Sequence, residues 1–289
     1  MTINNILRKN NISKKFNINT HDFFKPVFDV KLAESRSEIK LAQKLRYKVF
    51  FSERIHSPIL NIGNFRRDSD KFDNYADHII VKFRKNKFSK TRVIGTYRLL
   101  KQSVAEKKSG FYSCDEFNLD NLLNSKIYNN MLELSRSCIS QKFRNKNVLK
   151  LMWNEIYRYI NKNNIDALFG TASFLDTNIN KIEDQLIYLN NNHKMSDNIK
   201  VNALANYKVK VDYEKPIDIN LKLVSKLPTL IKAYLKFNAS IGEGAVVDNR
   251  FKTTDVFVFL PIEEINKDYV NKIVDWWKKL LIKYLKLMK

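Results

Sequence analysis

Cysteine is nearly missing from this chain. Cys114 and Cys138 are the only two in 289 residues. They cannot make a disulfide framework or a zinc cluster, and a reducing compartment suits them. Histidine is scarce too. His21, His56, His78 and His193 have no metal-ligand spacing, so no metal is expected. His78, opening an apolar run after Asp77, reads as a structural hydrogen-bonding residue. No stretch reaches the roughly 20 apolar residues that a spanning helix requires. The opening segment, Met1 to Phe16, is polar and basic and lacks the apolar core of a signal peptide. A cytoplasmic protein is expected, able to lie on the inner face of the cytoplasmic membrane. Internal repeats and low-complexity linkers are also absent.

Basic residues are abundant. Lys and Arg total 52 against 30 Asp and Glu, a formal charge of +22. Such an excess attracts nucleic acid, anionic lipid or an acidic protein. No zinc-finger, homeodomain, RNA-recognition or basic-zipper pattern accompanies it, so nucleic acid is not the expected partner. Hydrophobic residues make up 44%, which excludes wholesale disorder and allows a large buried core.

Apolar periodicity divides the chain. Residues 1–27 read as a basic leader. A strand over Phe28–Leu32 precedes a helix over about Glu38–Ser52, with Ile39, Ala42, Leu45, Val49 and Phe50 at helical spacing. Residues 53–77 read as a loop rich in carboxylates. Strands follow over His78–Phe83, Arg92–Leu100 and Met131–Arg136. A helix over Asn147–Asn161 has an apolar side of Val148, Leu151, Met152, Ile156, Tyr159 and Ile160. Then come a strand over Ile165–Ala172 and a helix over Asn178–Asn190. An extension from around residue 200 holds a strand near Leu204–Val211, a helix over Pro228–Asn238, a turn at Gly242–Glu243–Gly244 and a strand over Val256–Leu260. A basic apolar helix, Asp268–Met288, closes the chain. Its lysines, with Trp276, Trp277 and several leucines, suit either a membrane interface or packing on the domain. This order predicts an α/β (α+β) fold, a mixed central sheet with helices on both faces.

Several motifs occur in one order: Leu45-Arg46-Tyr47-Lys48-Val49-Phe50, Asp70-Lys71-Phe72-Asp73, Val93 to Leu100, and Glu133-Leu134-Ser135-Arg136. Further along come Phe169 to Phe174, Gly242 to Asp248, and Phe251-Lys252-Thr253-Thr254-Asp255-Val256. This run resembles the acyl-homoserine-lactone synthases and the hemolysin-like branch of the GNAT N-acyltransferases. It is most similar to the L-ornithine N(alpha)-acyltransferase family. The resemblance spans residues 28–265. It implies a GNAT-like fold and transfer of a 3-hydroxyacyl chain from acyl carrier protein to the α-amine of L-ornithine. The product, lyso-ornithine lipid, would pass to an O-acyltransferase. No cofactor of its own is implied, because phosphopantetheine arrives on the carrier protein.

Aminolysis of a thioester needs a neutral amine, a held carbonyl, a donor to the oxyanion and a proton for the leaving thiol. In GNAT folds a bulged central strand supplies the donor, and residues 131–138 correspond to that strand. Glu133, a carboxylate in an apolar strand, reads as the catalytic base or as a buried ion-pair partner of Arg136, Arg98 or Arg46. The resemblance to the lactone synthases implies that Asp70 and Asp73, with Asp68 and Asp77 nearby, bind a cationic amino acid; the residues themselves also read as turn-capping groups. Arg46, Arg98 and Arg136 offer forks for a carboxylate, and Arg136, on the catalytic strand itself, is expected to be catalytic with Glu133. Gln141 to Asn147 stands where GNAT enzymes carry a glycine-rich pyrophosphate loop, yet has no glycine. Acetyl-CoA is therefore a poorer donor. Lys142, Arg144 and Lys146 suit phosphopantetheine and an acidic carrier protein, or a solvated helix start. Cys138 reads as packed core.

Overall fold

The computed structural model describes residues 26–53, 66–144 and 146–266. The basic leader, apart from Pro26 and Val27, lies outside these residues, as do the closing basic helix, His21 and His56. No described helix is long and apolar enough to cross a membrane.

Among the described residues, nine strands form one sheet. They are β1 (Val27–Leu32), β2 (Asp77–Arg84), β3 (Arg92–Lys101), β4 (Phe117–Asn118), β5 (Met131–Ile139), β6 (Ala167–Phe174), β7 (Asn202–Ala203), β8 (Ser240–Asp248) and β9 (Thr253–Pro261). Their spatial order is β1-β2-β3-β5-β6-β9-β8-β7-β4. The pairs β5–β6 and β7–β8 are parallel and the other neighbours antiparallel.

Side chains alternate across this sheet and fill two cores. In β9, Val256, Val258 and Leu260 enter one core while Phe257 and Phe259 enter the other. The first core is covered by α2 (Lys146–Asn163), α3 (Glu183–Asn192) and α4 (Thr229–Lys236). All six residues expected on the inner face of α2 are buried, and Trp153 joins them. The second core, around Phe72, Phe111, Phe117 and Phe257, is closed by loops and short helical turns at Gln102–Ala105 and Asp120–Asn124.

Helix α1 (Arg36–Tyr47) begins where Ser35 Oγ accepts the Glu38 N–H at 3.3 Å. Glu38 in return accepts the Glu34 N–H at 2.8 Å. Lys82 and Lys31 also pair with the Glu38 carboxylate. The helix continues into one π-helical stretch, Lys48–Ser52.

Two features of β5 shape the centre of the sheet. First, it bulges. Arg98 pairs with Ser135 but Thr96 pairs with Cys138, so β5 holds one extra residue there. Arg136 takes a left-handed φ of 54° within this bulge. Second, β5 and β6 pair only over Met131–Glu133 and Ala167–Phe169, then part company. Beyond that point β6 pairs with β9 alone and β5 with β3 alone. At the fork, the Leu134 carbonyl presses on Gly170, where an added Cβ would lie 2.2 Å from that oxygen.

Three expectations are corrected. The strand expected near Leu204–Val211 does not form; the two-residue strand Asn202–Ala203 lies just before it, and Lys208 makes an isolated bridge to Val246. The Leu204 N–H bonds to Glu116 O and the Val209 N–H to Ala245 O, so this backbone crosses between partners instead of following one. Gly242–Glu243–Gly244 is not a free turn. It is a bulge inside β8, because Ile241 and Ala245 on either side both pair with β9. The helix expected from Asn178 starts at Glu183, behind a 3-10 turn at Ile179–Lys181.

Candidate active site

The bulge of β5 faces a buried network of opposite charges. Arg46 points from α1 toward the sheet and grips Asp73 with two bonds, Nη1 to Oδ1 at 2.8 Å and Nη2 to Oδ2 at 2.6 Å. Its Nε lies 2.9 Å from Asp68 Oδ2. Arg98 donates Nη1 to Asp70 Oδ1 at 2.6 Å and Nε to Ser135 Oγ at 2.9 Å. Arg136 donates Nη2 to Asp70 Oδ2 at 3.0 Å, with Nε 3.3 Å from Asp68. Arg250 closes the set, donating Nη2 to Asp68 Oδ1 at 3.0 Å. Four guanidinium groups thus meet three carboxylates.

The aspartates also cap their own turn. Asp70 Oδ1 accepts the Phe72 N–H at 3.0 Å and Asp73 Oδ2 accepts the Asp70 N–H at 3.1 Å. Turn capping, one of the two roles open in the sequence, is present, and the charges of both aspartates are met by the protein's own arginines. Burial would raise the pKa of Asp70 and Asp73, but the neighbouring arginines outweigh it and hold both carboxyls below their usual range. His78, beside Asp73, is pushed down to about 4, by burial first and by Arg46 and Arg98 next, against the pull of Asp73. It is neutral at pH 7, and its Nε2 stands 3.7 Å from Asp73 Oδ1, too far for the hydrogen bond expected of it.

Glu133 is fully enclosed. Its hydrogen-bond partners are none of Arg46, Arg98 and Arg136, the ion-pair partners expected of it. It accepts the Ser113 N–H and hydroxyl, both at 2.7 Å, and the Tyr112 N–H at 3.0 Å. Burial raises its pKa and these donors oppose the rise. The carboxylate therefore fastens the Tyr112–Ser113 turn to β5. That turn sets the Tyr112 ring 4.4 Å from the Arg136 guanidinium, which also lies 4.6 Å from the Phe251 ring.

A second acidic group adjoins this one. Glu116, Asp248 at the end of β8 and Asp255 in β9 each bring a carboxylate oxygen within 4.8 Å of the others. Among the described residues, no other such trio of metal-capable side chains comes this close. Burial, then mutual repulsion, pushes Glu116 up to about 8. Burial also pushes Asp255 up to about 6, against the Ser173 and Thr253 hydroxyls. Arg136 lowers both, which puts the cluster within reach of its charge. The sequence offered one weak signal here, since Asp248 and Asp255 each interrupt or end an apolar strand. Glu116 and Arg250 gave none.

The residues expected to meet the acyl donor are only partly brought together. Lys142 is exposed on a 3-10 turn after β5. Arg144 donates Nε to the Ile139 carbonyl at 3.0 Å and pairs with Glu53 at 2.5 Å. Lys146 opens α2. Phe143 meets Phe83 at 4.8 Å and fixes this loop to the end of β2. The loop joins the C-terminal end of β5 to the start of α2, on the side where β5 and β6 have separated. Burial drives the Cys138 thiol well above its ordinary range, so it stays protonated.

A family model described as an acetyltransferase (GNAT) domain matches residues 45–154. The L-ornithine N(alpha)-acyltransferase of Brucella abortus (strain 2308) is 37% identical over 245 residues, 84% of this chain and 87% of that protein. Its counterpart in Rhizobium meliloti (strain 1021) is also 37% identical over 245 residues, 84% and 83% of the two chains. Among solved structures, a CoA-dependent acyl-homoserine lactone synthase, BjaI, covers 86% of this chain and 89% of its own, at 12% identity and a TM-score of 0.46.

Proposed function

The chain belongs to the L-ornithine N(alpha)-acyltransferase family, and from that premise we propose that it moves a 3-hydroxyacyl group from acyl carrier protein to the α-amine of L-ornithine. The product is lyso-ornithine lipid, an amphiphile that a separate O-acyltransferase would complete. An anionic membrane surface is a natural place to release it.

The observation that carries this reading is the fork between β5 and β6 beside the Arg136 bulge. An extended phosphopantetheine arm needs a slot with unpaired backbone on its walls, and both strands lose their mutual pairing past Glu133 and Phe169. The thioester carbonyl would meet β5 backbone at the bulge, where a positioned N–H stabilises charge that develops on oxygen. The neutral acceptor amine attacks the carbonyl carbon, and the proton that its nitrogen sheds as the adduct collapses passes, directly or through water, to the leaving sulfur. The C–N bond forms, the C–S bond breaks, and the thiolate takes up that proton.

In this scheme Arg136 and Arg98 receive the acceptor carboxylate. Arg46, fully enclosed, supports them through Asp73 and Asp68. Asp70 is the least enclosed of the three aspartates and stands between Arg98 and Arg136. Glu133 acts by holding Tyr112 against Arg136. Lys142, Arg144 and Lys146 meet the carrier protein and its phosphopantetheine.

The test is direct. Purified protein is incubated with L-ornithine and 3-hydroxyacyl carrier protein, or with the matching acyl-CoA, and products are read by mass spectrometry. N-acyl-ornithine from the carrier protein at much higher kcat/KM than from acyl-CoA is expected. Equal use of acyl-CoA would remove the donor assignment, and an acyl product on another amine would move the acceptor.

A further inference from the structure

Resting on the acceptor reading above, we infer that Glu116, Asp248 and Asp255 form the subsite for the side-chain ammonium of a diamino-acid acceptor. Asp70 and Asp73 do not fill this role.

Charge balance points to it first. A cationic amino acid needs carboxylates whose charge is free to meet it. Asp68, Asp70 and Asp73 are each held by at least two arginines, so an ammonium would have to displace a buried guanidinium. Glu116, Asp248 and Asp255 have no Lys or Arg at ion-pair distance among the described residues. Asp248 Oδ1 is bonded only to backbone, accepting the Arg250 N–H at 2.7 Å and the Phe251 N–H at 3.0 Å.

Unmet hydrogen-bonding capacity is the second observation. Asp255 is 5% exposed, yet its Oδ1 has no hydrogen-bond partner, and neither has Glu116 Oε2. The Thr253 hydroxyl, 1% exposed, faces Asp255 from two positions away on β9 and, with the Ser173 hydroxyl, holds its pKa down against burial. Buried acceptors without donors are costly, and two of them around one spot describe a place shaped for a donor that comes from outside. An ammonium brings three N–H groups and one positive charge.

Position supplies the third. Asp255 pairs across the sheet with Ser173, in the part of β6 that has left β5. Glu116 follows directly on the Tyr112–Asp115 turn that carries the ring stacked under Arg136. An acceptor with its α-carboxylate on Arg136 would thus have a carboxylate-rich wall beside it for its far end. The raised pKa values of Glu116 and Asp255, caused first by burial, agree with carboxylates that no cationic side chain neutralises.

The deciding experiment compares L-ornithine with L-norvaline, which has the same carbon chain without the terminal amine. Wild type, Glu116→Gln, Asp255→Asn and Asp248→Asn are assayed with 3-hydroxyacyl carrier protein. Asp248→Asn keeps an oxygen for the Arg250 and Phe251 N–H groups and serves as the variant least disturbing to the fold. Each variant should lose about tenfold or more in kcat/KM for ornithine, through KM, and little for norvaline. Equal losses for both acceptors, or an unchanged preference, would overturn the subsite. So would activity abolished by a chelator and restored by Mg2+ or Ca2+, which would make the cluster a metal site. If wild type makes no N-acyl-ornithine, the acylation reading fails separately. Calorimetric titration with ornithine then decides the subsite alone: binding weakened about tenfold by Glu116→Gln keeps it, and absent or unaltered binding removes it.

Discussion

Glu133 is held by three donors from one turn, and each of those bonds is lost or reversed in a different way by mutation. Glu133→Gln turns one oxygen into an N–H donor facing another donor. A loss of about 1–3 kcal/mol of unfolding free energy in urea is expected, with activity falling in step. Full stability with abolished turnover would instead make Glu133 a proton carrier. Arg46 is a different case. Its two bonds to Asp73 need the flat guanidinium fork, so Arg46→Lys leaves one carboxylate half-met in a dry site. A cost of about 3 kcal/mol or more is expected from breaking such a pair. The same pairs set the acid limit. Asp70 and Asp73 have folded pKa values below the unfolded value of about 3.9. Their contribution is complete above that value and is lost as pH falls through the folded one. Asp73→Asn should therefore flatten the acid limb of a pH-denaturation curve, alongside its cost at neutral pH.

At the scale of elements, the fork rests on Gly170. A methyl group there would sit inside the Leu134 carbonyl. Gly170→Ala is expected to push β5 and β6 apart where they should part smoothly, costing about 2 kcal/mol or more. Thermal melting would show the loss of stability, and acyl transfer should fall further than stability alone explains. The elements themselves were largely legible. Helix α2 declared its inner face through Val148, Leu151, Met152, Ile156, Tyr159 and Ile160, because helical spacing is a local property. The strand expected at Leu204–Val211 failed because alternating apolar residues look alike whether their backbone follows one neighbour or crosses between two. The fork could not be read at all. It depends on which strand lies beside which, and pairing order is decided by the whole fold. Likewise, Arg46, Asp70, Asp73, Arg98 and Arg136 were each picked out in the sequence. Their mutual neutralisation was not, because it arises when the 66–77 segment folds against α1 and β5.

For the whole molecule, the clustered carboxylates make stability depend on pH in the opposite sense to Asp73. Glu116 rises from an unfolded value near 4.3 to about 8. Between those values the folded form binds the extra proton, so stability falls as pH climbs through this window and the loss is complete above it. Asp255, Asp248 and Asp115 face Glu116 with like charge and Arg136 with opposite charge. Glu116→Gln should therefore raise the melting temperature at pH 8 and change it little at pH 4, read by scanning calorimetry. The net charge of +22 makes a further prediction. The KM for carrier protein should climb with ionic strength while that for ornithine stays nearly level, because steering between large opposite charges is screened within about 10 Å at 0.1 M salt.

The β8–β9 hairpin carries Asp248, Arg250 and Asp255 together, far along the chain from the loop that follows β5. On the roles proposed above, the hairpin's share of the side-chain subsite is written in a different stretch of gene from the loop that meets the acyl donor. A graft of that hairpin between relatives could retune the acceptor and leave the acyl donor unchanged.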